Sequence, residues 1–194
     1  CSQSRGLGDV YKRQNFYSEK VYKQIMTLAE KWIDSVFEYE PTDVGISVFS
    51  YNSQRATILL STMIKARDPN LKIFMGGAGL NTDNRFGPYC LENKIMDCWI
   101  RGEGELSVPA YLDGNMTHPG LNGIPPKQIN DIDSLQFPDY SDYELASYTN
   151  KKGLVALPIT GSRGCVRACT FCDIASMWPK YKFRSGESIA NEIK

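Results

Sequence analysis

Between residues 18 and 39 apolar side chains return every three or four positions. Val21, Ile25, Leu28, Ala29, Trp32, Ile33 and Val36 fall on one side of a 3.6-residue period, which predicts an amphipathic helix. Ser18 suits its N-cap and Pro41 follows its end. The period then changes. Val44–Ser50, VGISVFS, is a short apolar and partly β-branched run of strand length. A second helix is predicted over Ser53–Arg67, with Ala56, Leu59, Leu60, Met63 and Ile64 on its inner face. Asp68-Pro69-Asn70 ends it. Leu71–Met75 reads as the next strand, closed by Gly76-Gly77. A short helix is expected within Pro88–Asn93, a third strand over Cys98–Ile100, and a helix over Leu106–Leu112.

Strands alternating with helices predict an α/β fold with a parallel sheet. Ligands of such sheets bind beyond the carboxyl ends of the strands, here at Ser50, Gly76 and Gly102. Residues 114–152 change character. They are rich in Pro, Gly, Asn and Asp, and are expected to form an interdomain linker lying on the surface, its spaced aromatics arguing against full disorder. Leu154–Thr160 reads as one more strand. Ser185 then resembles the N-cap of a last helix carrying Ile189 and Ile193.

Composition adds two constraints. The chain has 194 residues, is 42% apolar, and carries 22 basic against 22 acidic side chains. However, Ser4–Gln14, SRGLGDVYKRQ, resembles the in-frame translation of a transposon-based sequencing adapter. Residues 1–14 are therefore expected to be of technical origin, and Gly6 and Gly8 are not read as a phosphate loop. Without Arg5, Lys12, Arg13 and Asp9 the remainder carries 19 basic and 21 acidic groups, a net charge of −2. No basic surplus points to nucleic acid, and no apolar run approaches the roughly 20 residues of a membrane span. Internal repeats and low-complexity tracts are absent.

Candidate chemistry gathers in GSRGCVRACTFCDIASMW, residues 161–178. Cys165, Cys169 and Cys172 place three soft ligands on one loop, suited to an iron–sulfur cluster or zinc. A structural zinc site closes with four protein ligands. The single histidine is His118, in the linker, and Cys90 and Cys98 belong to the preceding domain as small apolar residues. A cubane on three cysteines leaves one iron without a protein ligand, and an open position is where chemistry occurs. Cysteines crowded in a loop fit a reducing, cytoplasmic setting better than a disulfide framework. Arg163 and Arg167 are candidates to steer an electron donor or a cofactor carboxylate, against the plainer reading of solvated loop charges; Trp178 and Tyr181 read as packing residues.

CVRACTFC resembles the radical S-adenosylmethionine signature, Cys-x3-Cys-x-aromatic-Cys, with Phe171 at the aromatic position. That resemblance implies a [4Fe-4S] cluster on Cys165, Cys169 and Cys172 with S-adenosylmethionine on its unique iron, cleaved by one electron to methionine and a 5′-deoxyadenosyl radical. It also implies a one-electron donor such as flavodoxin or ferredoxin. The loop would follow the first strand of a partial (β/α) barrel. The preceding part resembles the cobalamin-binding domain of one subgroup: Ser47-Val48-Phe49 falls where that family has Ser-x-Leu, Gly76-Gly77 on its glycine pair and Gly102-Glu103 on its Gly-Glu turn. The resemblance therefore implies a partial flavodoxin-like, Rossmann-type cobalamin-binding domain over residues 15–113, the linker 114–152, and over 153–194 the first βα unit of a radical S-adenosylmethionine partial TIM barrel. Both ends are expected to be truncated, so the chain alone is expected not to turn over. The reaction implied for the full-length parent is cobalamin-dependent methyl transfer. The alternatives are a rearrangement, cyclisation or methylthio transfer without cobalamin, or a non-enzymatic zinc module.

Overall fold

A computed structural model describes residues 19–81, 85–167, 169–172 and 174–194. The segment 1–14 and the N-cap expected at Ser18 lie outside the described residues. The described chain divides into two compact units, up to Pro126 and from Lys127 onward.

The first unit follows the predicted alternation. Its elements are α1 (Glu19–Phe37), β1 (Asp43–Ser47), α2 (Gln54–Arg67, entered through a 3-10 turn at Tyr51–Ser53), β2 (Lys72–Gly76), α3 (Ala78–Asn81), α4 (Phe86–Glu92), β3 (Cys98–Trp99) and α5 (Gly104–Leu112). The three strands form one parallel sheet in the order β1-β2-β3, with Asp43 to Ser47 in register with Lys72 to Gly76. Alternation along the strands divides the core between the two faces. Ile73, Met75 and Trp99 pack with Ile33, Ile64, Phe86 and Cys90 from α1, α2 and α4. Phe74, Cys98 and Ile100 pack with Val108 and Tyr111 of α5 and with Leu121. Helices thus cover both faces, as a parallel sheet requires.

Two helix faces differ from the expectation. On α1 the buried residues are Ala29 and Ile33, while Leu28 and Trp32 are exposed, Trp32 by 54%. On α2 the buried stripe is Gln54, Thr57, Leu59, Ser61 and Ile64, and Ala56 faces outward. Hydrogen bonding permits the polar members: Gln54 Nε2 donates to Gly79 O at 3.2 Å and Thr57 Oγ1 to Ser53 O at 3.0 Å. Apolar counting alone mislocates a face that carries satisfied polar groups. α2 stops where predicted, at Asp68, because the residue before Pro69 is driven to extended geometry (φ −139°, ψ 103°).

Residues 114–126 belong to the first unit's sheet edge. Ile100 and Leu121 form an antiparallel bridge; Arg101 N donates to Gly120 O at 2.7 Å and Asn122 N to Trp99 O at 2.8 Å. Leu121 is fully buried.

The second unit is sparser. It contains a 3-10 turn (Leu145–Tyr148), β4 (Ser162–Arg163), α6 (Ile174–Met177), β5 (Lys182–Phe183) and α7 (Gly186–Ile193). The strand expected over Leu154–Thr160 does not form. The run carries no ladder hydrogen bonds and stands exposed, Leu154 by 61%. Pro158 has no N–H to donate, and among the described residues no strand lies beside the run to pair with it. The ladder begins after it instead, where β4 and β5 pair antiparallel. The last helix starts as predicted: Ser185 Oγ accepts the Ser188 amide at 3.1 Å.

Candidate functional site

The cysteine loop emerges from the β4–β5 ribbon, which forms its neck. Ser162 lies opposite Phe183 and Arg163 opposite Lys182, and Arg184 N donates to Gly161 O at 2.9 Å. At Gly164 the chain turns with φ +81°, and a Cβ there would sit 2.6 Å from Lys180 O. The two arms of the loop touch at this point, so only glycine fits. Cys165, Cys169 and Cys172 follow, all exposed and all free thiols. Local bonds shape the turn: Cys172 N donates to Cys169 O at 3.1 Å, and Arg167 N to Cys165 Sγ at 3.4 Å. Phe171 is 89% exposed.

The fold brings the three cysteines onto one loop without bringing their sulfurs onto one point. Among the described residues no group of three or more His, Cys, Asp or Glu side chains converges closely enough to hold an ion. Metal binding is coupled to local folding, so ligands on a loop converge when a cation joins them. The donor set suits an iron–sulfur cluster, since three accessible sulfurs on a short loop are soft ligands. Cys90 and Cys98 are no part of it. Both are fully buried; burial pushes the Cys90 thiol up to about 12, and burial with the neighbouring Asp97 charge pushes Cys98 up to about 11. They remain protonated packing residues.

A second set of predicted residues lies at the carboxyl end of the first unit's sheet. Ser47 ends β1 opposite Gly76, which ends β2. Val48 N donates to Gly76 O at 2.7 Å and Gly79 N to Val48 O at 2.8 Å, joining the two strand ends. Ser47, Gly76 and Gly77 therefore come together. Gly77 has φ +107°, and a Cβ there would meet Val48 O at 2.7 Å. Gly102, at φ +75°, has Pro126 packed over it, and Glu103 is 7% exposed at the start of α5. The chain's own packing thus accounts for Gly77 and Gly102 without any ligand. Ser47 and the neighbouring Phe49 are exposed.

Sequence reasoning missed the residues that fasten the cysteine loop. Lys182 Nζ donates to Ile129 O and, at 3.3 Å, to Gln128 Oε1; Gln128 Nε2 donates to Met177 O at 3.2 Å. Asp133 accepts Ser185 N at 2.9 and 3.2 Å, and these bonds hold its carboxyl below the ordinary range. Only the glycine preceding Cys165 carried a readable signal; the partners of Lys182 lie more than fifty residues away in the chain.

No family model matches the chain. Over 149 residues, 69% of this chain and 29% of the relative, it is 26% identical to the anaerobic magnesium-protoporphyrin IX monomethyl ester cyclase of Synechocystis sp.. Over 202 aligned residues, 80% of this chain and 37% of the relative, it is 23% identical to the cytidylyl-2-hydroxyethylphosphonate methyltransferase of Streptomyces wedmorensis. The chain therefore spans about a third of the length of these curated relatives. Both are enzymes. Among the described residues, no helix is long and apolar enough to cross a membrane.

Proposed function

We propose that this chain is part of a cytoplasmic radical S-adenosylmethionine enzyme whose [4Fe-4S] cluster is held by Cys165, Cys169 and Cys172. The observation that carries this is the loop itself: three exposed free thiols, spaced Cys-x3-Cys-x2-Cys, on a segment tied at its neck. Radical S-adenosylmethionine chemistry at the superfamily level is supported by both distant relatives, a cyclase and a methyltransferase. A bound cluster supplies the single electron that cleaves the sulfonium of S-adenosylmethionine, and so initiates carbon radical chemistry.

The chain's own residues bind and border. The three cysteines would hold the cluster. Phe171, exposed beside Cys172, would border it. Arg167 is an exposed cation on the same loop, suited to a carboxylate or an acidic electron donor such as flavodoxin or ferredoxin. For the full-length parent we propose methyl transfer with cobalamin at the carboxyl end of the β1-β2-β3 sheet, where Ser47 and Gly76, paired at the strand ends, would border it. The methyltransferase relative and the parallel strand order support that reading. Cyclisation without cobalamin is the second reading, favoured by the cyclase relative.

Anaerobic reconstitution with ferrous iron and sulfide tests the first claim. Iron and acid-labile sulfide should be taken up together, with a paramagnetic signal after dithionite that disappears in the Cys165→Ser/Cys169→Ser/Cys172→Ser variant. Colourless zinc-loaded protein, or a signal that survives the triple replacement, would overturn it. Retention of added cobalamin by the full-length protein separates methyl transfer from cyclisation.

A further inference from the structure

The neck of the cysteine loop raises a physical difficulty. Among the described residues from Gly164 to Tyr181 the loop makes few bonds of its own, and β4–β5 is a ribbon of two residues on each strand. A ribbon that short is not stable unaided. At its base sits a lysine, Lys182, only 8% exposed. Burying an ammonium is unfavourable unless its donors are well used, and an aliphatic residue would close a ribbon more easily.

Two of its hydrogen bonds fall on one segment. Lys182 Nζ reaches Ile129 O and Gln128 Oε1, both from the start of the second unit. The same Gln128 turns its amide NH2 to Met177 O, at the end of α6, on the far arm of the loop. Gln128 therefore links the neck to that arm with a single side chain. Five residues later Asp133 accepts the amide of Ser185, where the chain leaves the neck. Between these attachments Ile129 and Ile132 are buried.

We infer that Gln128–Asp133 is a strap that fastens the neck and far arm of the cysteine loop, so that its three sulfurs have less chain to order when they close on a cluster, with Lys182 and Gln128 as positioning residues. The inference rests on the cluster reading for its consequence and on the strap's own bonds for its existence. Neither residue is a ligand. Each acts through the loop, as residues behind metal ligands do when they fix ligand orientation.

Three variants, with Lys182→Arg as the conservative control, test it in the full chain: Lys182→Met, Gln128→Ala and Gln128→Glu. The last keeps an acceptor for Lys182 but cannot donate to Met177, so it isolates the link to the far arm and preserves side-chain size. In the reconstituted protein, iron release to a ferrous chelator should be about tenfold faster in Lys182→Met and Gln128→Ala, and intermediate in Gln128→Glu. Far-UV circular dichroism should be unchanged, and Lys182→Arg should restore slow release. In the apo chain, tryptic cleavage after Lys180 should accelerate in the same order. Equal release and equal cleavage in Gln128→Glu and wild type would overturn the strap. Should the wild-type chain take up no cluster, the functional reading fails by itself, and the apo cleavage rates then decide the strap: unequal rates support it, equal rates sink it.

Discussion

Replacing Gly77 by alanine should destabilise the first unit with no cofactor present. The position has φ +107°, which an L side chain rarely adopts, and the new Cβ would lie 2.7 Å from Val48 O and 3.1 Å from Val48 C and N. The obstacle is backbone at the end of β1, so no rotamer change relieves it. A strained φ costs about 1–2 kcal/mol, and forcing an atom into a closed backbone contact adds about 1–2 kcal/mol. Together they give about 3 kcal/mol. At a urea slope of about 2 kcal/mol per M, the midpoint should fall by about 1.5 M. The assay is equilibrium urea unfolding followed by Trp99 fluorescence, since that indole is buried in the first unit. Gly114→Ala is the control. It shares a positive φ, +79°, but nothing lies within 4 Å of its Cβ, so it should lose only the backbone part, about 1 kcal/mol. Were Gly77→Ala no worse than Gly114→Ala in the apo chain, the packing argument would be wrong, and a ligand would become the better reason for that glycine.

Cys90 gives a pH prediction. Its thiol is ordinarily at 9.0 and is raised in the fold to about 12 by burial, so the unfolded chain ionises first. Its contribution is fully present below pH 9 and is lost as pH rises towards 12, adding up to ~1.4 kcal/mol per pH unit to the slope; Cys90→Ala should lessen the slope of the urea midpoint against pH, leaving the share of Cys98, itself raised to about 11, and an unchanged slope would refute the assignment. In the second unit, Arg184 is buried against Glu192 and Ser188, with Phe137 under its guanidinium at 5.2 Å. Removing the carboxylate with Glu192→Ala should cost about 3 kcal/mol, read as faster amide exchange across α7; a loss below about 1 kcal/mol would show the pair to be superficial.

Local physics made much of this protein legible from sequence. Asp68-Pro69 had to end α2 because the ring of Pro69 forbids helical geometry before it. Ser185 had to cap α7 because its hydroxyl reaches the amide three residues on. The alternation of short apolar runs with helical periods gave a parallel α/β sheet, and three cysteines within eight residues marked the chemical loop. Each of these depends on residues that are neighbours along the chain.

Tertiary structure decided the rest. Leu154–Thr160 has strand composition, but a strand exists only through a partner, and Pro158 weakens that offer. Which side of α2 faces inward was set by Gln54 and Thr57, whose hydrogen bonds to Gly79 and Ser53 appear only once the chain has folded. Gly77 looked like room for a ligand, and the folded chain fills that room with Val48. Lys182 is buried because Gln128 and Ile129, distant in sequence, bring it oxygens to donate to. A side chain's burial and partners are properties of the assembled chain, and no window of neighbouring residues contains them.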